Sequence, residues 1–234
     1  MNTYLLCEDT KSGLSFWRFI VQAMNPGCVV EGKGGISNLR RMVSSIADSE
    51  DRYFVVVDYA FDNPSVLREI SAITRIAKDK SNVTLIKIHS FEYILLSFAF
   101  LDKWVFAERD ELKEQRKPLL ELKDVFVQMI GDGTDSGMLG EGSAAGTFLE
   151  EHGYNTEQAL SRLLFGITRN TGFETDKSKL GDCFTVDCCK WENRASDDIC
   201  GLDEAGFTSV EKARLIVEYS VLSSIPELEG LLHD

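Results

Sequence analysis

The sequence predicts an α/β protein with a parallel four-stranded sheet, helices on both faces of the sheet, and a mainly helical C-terminal region. Three observations predict this fold class. Short apolar runs alternate with amphipathic stretches over the first hundred residues. Residues 53–58 are almost wholly apolar and rich in valine, as expected of a central strand that is buried on both faces. After residue 107 the pattern changes to helical segments and loops.

The elements of the first half follow one another in the order βαβαβαβ. The strands are predicted at residues 3–8, 28–31, 53–58 and 83–88. Apolar residues at helical spacing predict helices at 14–24 and 36–46, and a third helix begins at Asn63-Pro64 with Asn as its N-cap. Ser90 is predicted to cap a long apolar helix that continues to about residue 106. Crossovers between such strands are right-handed, which makes the sheet mostly parallel.

The second half, residues 107–234, is predicted to form a helical region beside the domain at residues 1–106. A charge run at 108–117 indicates a solvated helix or a connection, and segment 131–146 is glycine-rich and predicts a loop. Thr208 and Glu211 form a capping box that opens the last helix. Segment 166–207 is predicted to be irregular, and helices are predicted at 119–130, 156–165 and 208–222.

The overall composition and charge of the chain argue against several classes of protein. The net charge is −13 and the sequence pI is about 4.7, which argues against a stand-alone DNA-binding module because such modules usually carry a basic face. The sequence shows neither a signal peptide nor an apolar run long enough to span a membrane, so we expect a cytoplasmic protein without membrane contact. In that compartment the six cysteines indicate metal binding, reactivity or burial rather than disulfides.

Acidic residues stand where the predicted strands end. Glu8 follows the first strand, Asp58 and Asp62 follow the third, and Glu92 opens the helix after the fourth. Ligands of open α/β sheets bind beyond the carboxyl ends of the strands, so these acids are expected to converge on one crevice. Such a cluster either holds a hard cation such as Mg²⁺ or simply lies in solvent.

The order of these motifs resembles the Toprim domain, the metal-binding fold shared by topoisomerases, primases and several nucleases. The resemblance rests on Glu8 at a strand end, a glycine-bearing strand–helix unit at 32–35, and Asp58 with Asp62 at a later strand end. Segment 90–96 is similar to the Glu-and-leucine helix start of the overcoming-lysogenization-defect (OLD) type and RloB-like nucleases of bacterial phage defence. The resemblance covers about residues 1–105.

The resemblance implies a nuclease that depends on Mg²⁺ or Mn²⁺ and cleaves DNA or RNA. Glu8 would be a metal ligand and a general base, Asp58 and Asp62 would hold the ion, and Glu92 would help a second ion or orient a water. The family pattern has an acid two residues after Asp58, where this chain has Ala60, and Asp62 would have to take that position.

Two functions remain open at this point. The first is a phage-defence nuclease that acts with a partner protein, such as an ATPase, because this chain contains none. The second is a catalytically silent Toprim-like module that regulates or binds a partner, which Ala60 favours.

Two roles remain possible for each of Lys33 and His89, and the cysteines also allow more than one interpretation. Lys33, in the glycine-rich turn, either steadies a phosphate or is solvated, and His89 either contacts a phosphate or makes ordinary hydrogen bonds. Cys7 and Cys28 lie in apolar strands and are expected to be buried. The later cysteines either hold a structural Zn²⁺, remain free thiols or form a disulfide; they are Cys183, Cys188, Cys189 and Cys200.

Overall fold

A computed structural model describes residues 1–59, 63–105, 110–133, 143–185 and 207–232 of the 234-residue chain. It confirms the predicted fold class: a four-stranded, entirely parallel sheet with helices on both faces, followed by a mainly helical region. The strands run in the spatial order β2-β1-β3-β4, with bounds β1 Thr3–Cys7, β2 Val29–Gly32, β3 Arg52–Asp58 and β4 Val83–Ile88.

The strand order creates a topological switch point between β1 and β3. β1 pairs with β2 on one side and with β3 on the other, so the chain leaves β1 in one direction and later returns past it. In open α/β sheets a crevice forms outside the carboxyl ends of the two strands at such a point. The residues that follow β1 and β3 therefore line the expected ligand crevice.

Five helices belong to the first half of the chain. Asn63 caps the third of them as predicted, because its Oδ1 accepts hydrogen bonds from the amides of Ser65 at 3.2 Å and Val66 at 3.4 Å. The helices are α1 Ser12–Met24, α2 Ile36–Ser45, α3 Pro64–Lys78, α4 Phe91–Ser97 and α5 Leu101–Trp104.

The prediction of one long helix from Ser90 to residue 106 is wrong, because the chain breaks between α4 and α5. Phe98 has extended backbone angles (φ −68°, ψ 118°), and the amide of Ala99 donates to the carbonyl of Tyr219 at 2.9 Å. The hydroxyl of Ser97 accepts from the amide of Val221 at 3.1 Å. Contacts with a segment far away in sequence therefore end α4.

The C-terminal region consists of further helices and two 3₁₀ turns. The charge run continues as helix through Pro118, and the predicted capping box of Thr208 and Glu211 is present. The last predicted helix is shorter than expected, because it ends at Glu218 and a 3₁₀ turn follows. The elements are α6 Asp110–Gly131, α7 Ala144–His152, α8 Thr156–Thr168, α9 Asp182–Thr185, α10 Ser209–Glu218, the turns Val221–Ser224 and Pro226–Leu228, and α11 Glu229–Leu232.

Two apolar cores lie on opposite faces of the sheet. On one face, α2 and α3 cover alternate strand residues, and the core contains Leu6, Leu39, Val43, Val55, Val57, Ile70 and Ile73. On the other face, α1 and α4 share a single larger core with α8 and α10 of the C-terminal region. A boundary at residue 106 stays a prediction, since apolar contacts cross it. No described helix combines the length and the apolar character needed to span a membrane.

Candidate functional site

The carboxyl ends of β1, β3 and β4 bring acidic residues to one rim of the sheet. Glu8 and Asp9 follow β1, Asp58 ends β3 opposite Ile88 of β4, and Glu92 lies in the first turn of α4. The pairing of β1 with β3 ends at Leu6 and Val55, and the chain leaves β1 after Cys7. Glu8 and Asp9 thus follow a strand whose neighbour in the sheet ends at Asp58.

Asp58 experiences the charges of all the other acids at this rim. Its pKa is raised well above the usual range, first by burial and then by Asp9, Glu92, Glu8 and Glu157, in that order. Two of the other predicted site residues, Glu8 and Glu92, therefore lie within electrostatic reach of Asp58, and a crevice shared by all three stays a prediction. Two further carboxylates, those of Asp9 and Glu157, lie within electrostatic reach.

Asp9 occupies a space that two glycines leave open. A Cβ on Gly13 would lie 1.8 Å from Oδ2 of Asp9, and a Cβ on Gly32 would lie 1.9 Å from its carbonyl oxygen. Any larger residue at either position would displace Asp9. Burial raises the pKa of the Asp9 carboxyl, because a buried environment disfavours the charged form of an acid.

Glu8 links the rim to the start of α2. Burial and the neighbouring Asp9 raise its pKa, and a hydrogen bond from the amide of Ile36 opposes the increase. The Glu8 carbonyl accepts from the amides of Gly34 at 2.9 Å and Gly35 at 3.1 Å. Both glycines have positive φ, 72° and 125°, which explains the glycine-rich turn as a structural requirement of this contact.

Glu92 is a buried acid, only 8% exposed, at the N-terminus of α4. Ser90 caps that helix by accepting a hydrogen bond from the amide of Tyr93 at 3.2 Å. Burial raises the pKa of Glu92 to about 7, although hydrogen bonds from its own amide and from Ser90 lower it in part. A carboxyl that titrates near neutrality is suited to proton transfer at ordinary pH.

Lys33 and His89 lie near the rim, and each has an identified neighbour. Lys33 forms an ion pair with Glu31 at the end of β2, so it is a paired residue rather than a solvated one. His89 is buried, and its ring centroid lies 6.0 Å from that of Tyr93. A contact of either residue with phosphate stays a prediction.

The cysteines of the first two strands are buried, as predicted. Cys7 lies beneath the rim, and burial together with Asp9 and Asp58 raises the pKa of its thiol to about 12, which makes it a poor nucleophile. Cys183 is buried, and its carbonyl accepts a hydrogen bond from Nζ of the buried Lys212 at 3.0 Å. The zinc alternative stays a prediction, because Cys188, Cys189 and Cys200 lie outside the described residues.

The donor set at the rim suits a hard divalent cation. Carboxylate oxygens are the ligands that Mg²⁺ prefers, and it usually keeps several waters with only one or two direct carboxylates. None of Glu8, Asp9, Asp58 and Glu92 forms an ion pair with a cationic residue in the described part of the chain. A cation would thus relieve an excess of negative charge. Residues 60–62, and with them Ala60 and Asp62, lie outside the described residues.

The carboxylates approach one another without a preformed coordination cage. Among the residues that the structure describes, no group of three or more His, Cys, Asp or Glu side chains is arranged to hold an ion directly. Water-mediated contacts from several acids are compatible with this arrangement, since Mg²⁺ retains much of its hydration shell.

Sequence reasoning missed Asp9 and Glu157. Asp9 is adjacent to Glu8, and its neighbours in space, Gly13 and Gly32, were the only available signal. Glu157 lies in the first turn of α8, where an acid is typical of any helix start. Nothing in its local sequence shows that α8 begins beside the sheet.

No protein-family model, curated protein or solved structure matches this chain. The Toprim resemblance therefore rests on the short motifs quoted above, and the chemistry of the site has to be argued from its own residues.

Proposed function

We propose that this protein is a nuclease that depends on Mg²⁺ or Mn²⁺ and hydrolyses phosphodiester bonds of DNA or RNA at the crevice beside β1 and β3. The observation that supports the proposal is that Glu8, Asp9 and Glu92 lie within electrostatic reach of Asp58 beside the switch point of a parallel sheet. Burial first and the neighbouring acids second raise the pKa of Asp58, and a divalent cation would compensate the negative charge of these acids.

Each acid has a distinct part in this proposal. Asp58 and Asp9 would hold the ion, and Asp62 would join them as the resemblance implies. A bound divalent cation would polarise the phosphate and lower the pKa of a water molecule. Glu8 would accept the proton of the attacking water, while its contact with the amide of Ile36 fixes its position. Glu92, with its pKa near neutrality, would orient that water or deliver a proton to the leaving group.

The acidic composition supports a role that needs a partner. A chain with a net charge of −13 repels a polyanion over most of its surface, so we propose that a partner protein, such as an ATPase, delivers or activates the substrate. A role as a cytoplasmic phage-defence effector is proposed on the resemblance of the Toprim-like motifs alone.

Cation binding and cleavage are tested on the same preparation. Calorimetric titration with Mn²⁺ should show saturable binding that Asp58→Asn removes, and incubation with DNA or RNA should show cleavage that Glu8→Gln abolishes. Glu114→Gln is the matched control, because Glu114 is an exposed acid in the middle of α6. Cleavage that persists in Glu8→Gln at the level of the control would exclude the proposal.

A catalytically silent module is the second candidate, and one contact favours it. The Glu8 carboxylate already accepts a hydrogen bond from the start of α2, which is a structural use of the acid. If the chain were silent, titration of the wild-type protein with Mn²⁺ would give no saturable heat. The Glu8→Gln variant would then show no change in any metal-dependent property.

A further inference from the structure

A groove in the C-terminal region is lined by residues that take no part in the proposed active site. It lies between α8 and the turn that follows it, and its volume is about 370 Å³. Hydroxyl, cationic and aromatic side chains share this groove, and its lining consists of Ser161, Arg162, Phe165, Asp176, Lys177 and Ser178. Such a mixture is typical of sites that contact both the phosphates and the bases of a nucleic acid.

The cations in and beside this groove are available for a ligand. Arg162, Arg169, Lys177 and Lys179 are exposed, and none of them forms an ion pair with an acid in the described part of the chain. Residues 162–179 contain these four cations and two acids, whereas the whole chain has a net charge of −13. They form a local positive edge on an acidic protein.

The acids of the same segment are occupied by local hydrogen bonds. Asp176 accepts from the amide of Ser178 at 2.6 Å and from its hydroxyl at 2.8 Å. Glu174 accepts from the amide of Asn170 at 3.3 Å. These contacts hold the carboxylates against the turn and leave Arg162 and Lys177 facing the groove without an acidic partner.

The wall of the groove is held in place by buried hydroxyls. The amide of Thr175 donates to Oγ1 of Thr168 at 3.0 Å, and that hydroxyl donates to the carbonyl of Leu164 in α8 at 2.7 Å. The amide of Cys183 closes the segment by donating to Gly172 at 2.9 Å. The turn is thus attached to the helix that forms the opposite wall, and the groove exists before a ligand binds.

Helix α8 connects the groove with the acidic crevice. Glu157, which influences Asp58, lies in the first turn of α8, and Arg162 follows five residues later. This separation corresponds to about 7.5 Å along the helix axis.

We propose that this groove binds a single-stranded segment of nucleic acid, with Arg162 and Lys177 contacting phosphates and Phe165 stacking on a base. A single strand fits because its bases can reach a half-buried aromatic ring, whereas paired bases of a duplex are stacked inside the helix. The inference rests on the proposed nuclease function and adds the form of the substrate.

Binding is measured by fluorescence anisotropy with labelled single strands of DNA and RNA of about 15 nucleotides and with a duplex of the same length. EDTA is present, so neither cations nor cleavage contribute. Arg162→Ala combined with Lys177→Ala should weaken single-strand binding at least tenfold. Loss of two phosphate contacts should also reduce the slope of log affinity against log salt by about 1.4.

Two further variants separate the aromatic contact from folding effects. Phe165→Leu should weaken binding severalfold and Phe165→Tyr should restore it, because tyrosine retains the ring. The matched control is Arg75→Ala combined with Lys78→Ala, two exposed cations in the last turn of α3. Thermal unfolding of every variant verifies that the fold is retained.

The outcomes distinguish the groove from the nuclease proposal. Equal affinities of the groove double variant and the control, or tighter binding of the duplex than of either single strand, would overturn the groove. Groove-dependent binding without any cleavage would support the groove and count against the nuclease. If the groove double variant still cleaved and bound single strands as tightly as the control, the result would support the nuclease and count against the groove.

Discussion

Asp9, just past the end of β1, lies within electrostatic reach of Asp58, which ends β3 on the other side of the switch point. After burial, the charge of Asp9 is the largest influence that raises the pKa of Asp58. Asp9 fits at this position because Gly13 and Gly32 have no side chains, which would otherwise clash with it. The fold thus keeps two mutually repelling carboxylates together, and such strain is typical of sites whose charge is compensated by a ligand.

Removing the charge of Asp58 should stabilise the protein when no cation is present. In EDTA at about pH 8, Asp58→Asn should raise the free energy of unfolding by about 0.5–2 kcal/mol, as is usual for a single stabilising substitution. Urea denaturation measures the change. Glu114→Gln should leave the value within about 0.5 kcal/mol, as expected of a surface substitution. A loss of stability in Asp58→Asn would contradict the electrostatic account of the rim.

Glu92 should make the stability of the cation-free protein fall as pH rises. Its pKa is raised from 4.5 to about 7, so between these values the folded state keeps a proton that the unfolded state has lost. The free energy of unfolding therefore decreases with pH across this window, by at most about 3.5 kcal/mol since one pKa unit is about 1.4 kcal/mol.

The check is urea denaturation in EDTA at several pH values from about 4.5 to about 8. Glu92→Gln should make the decrease smaller, because glutamine does not titrate, but part of the decrease should remain because the pKa values of Asp58, Glu8 and Asp9 are raised too. The exposed control Glu114→Gln should follow the wild type. A wild-type curve that rises through the same window would mean that Glu92 is stabilised as a carboxylate, contrary to the direction of its pKa.

Gly13→Ala should reduce cation affinity by displacing Asp9. The new methyl group would lie 1.8 Å from Oδ2 of Asp9 and force the carboxylate away from Asp58. Mn²⁺ affinity should fall about tenfold, which corresponds to about 1.4 kcal/mol. The stability change should be small, because alanine in a helix is favoured over glycine by about 1 kcal/mol and this offsets the displacement.

Gly27→Ala is the control for this substitution. A Cβ at Gly27 would have only Asn25 Oδ1 nearby, at an ordinary 3.6 Å. Calorimetric titration of both variants with Mn²⁺ measures the difference. Equal affinities would indicate that Asp9 does not contribute to cation binding.

Local sequence patterns were sufficient to predict most of the sheet. The apolar run at 53–58 corresponds to β3 within one residue, and Asn63-Pro64 marks the start of α3 because the side-chain cap acts within three residues. The break after Ser97 could not be predicted. It depends on hydrogen bonds with Tyr219 and Val221, and neither is visible in the apolar pattern of residues 91–106.

The site was predictable to the extent that strand ends determine it. Glu8, Asp58 and Glu92 lie near the same edge of the sheet because parallel strands end there. Asp9 depends on side chains that are absent at Gly13 and Gly32, and Glu157 depends on how α8 packs against α4. Such tertiary contacts have no local sequence signature. The position of Asp62, which the resemblance assigns to the ion, stays a prediction.

Glu157→Gln tests whether the C-terminal region contributes to the crevice. Glu157 is exposed at the start of α8, and its charge raises the pKa of Asp58, Glu8 and Glu92. Neutralising it should shift those pKa values toward their ordinary range, so the pH-dependent loss of stability should end at a lower pH and become smaller. Mn²⁺ affinity should fall severalfold, because one carboxylate fewer attracts the ion.

The matched control is Asp182→Asn, which removes an acid from the first turn of α9. Both variants lose a favourable interaction with a helix N-terminus, worth about 0.3–1 kcal/mol, so this general effect cancels between them. Calorimetry and urea denaturation at several pH values are measured on both. If Glu157→Gln and Asp182→Asn behaved alike in both experiments, the crevice would be formed by the first half of the chain alone, and α8 would serve only to cover the sheet.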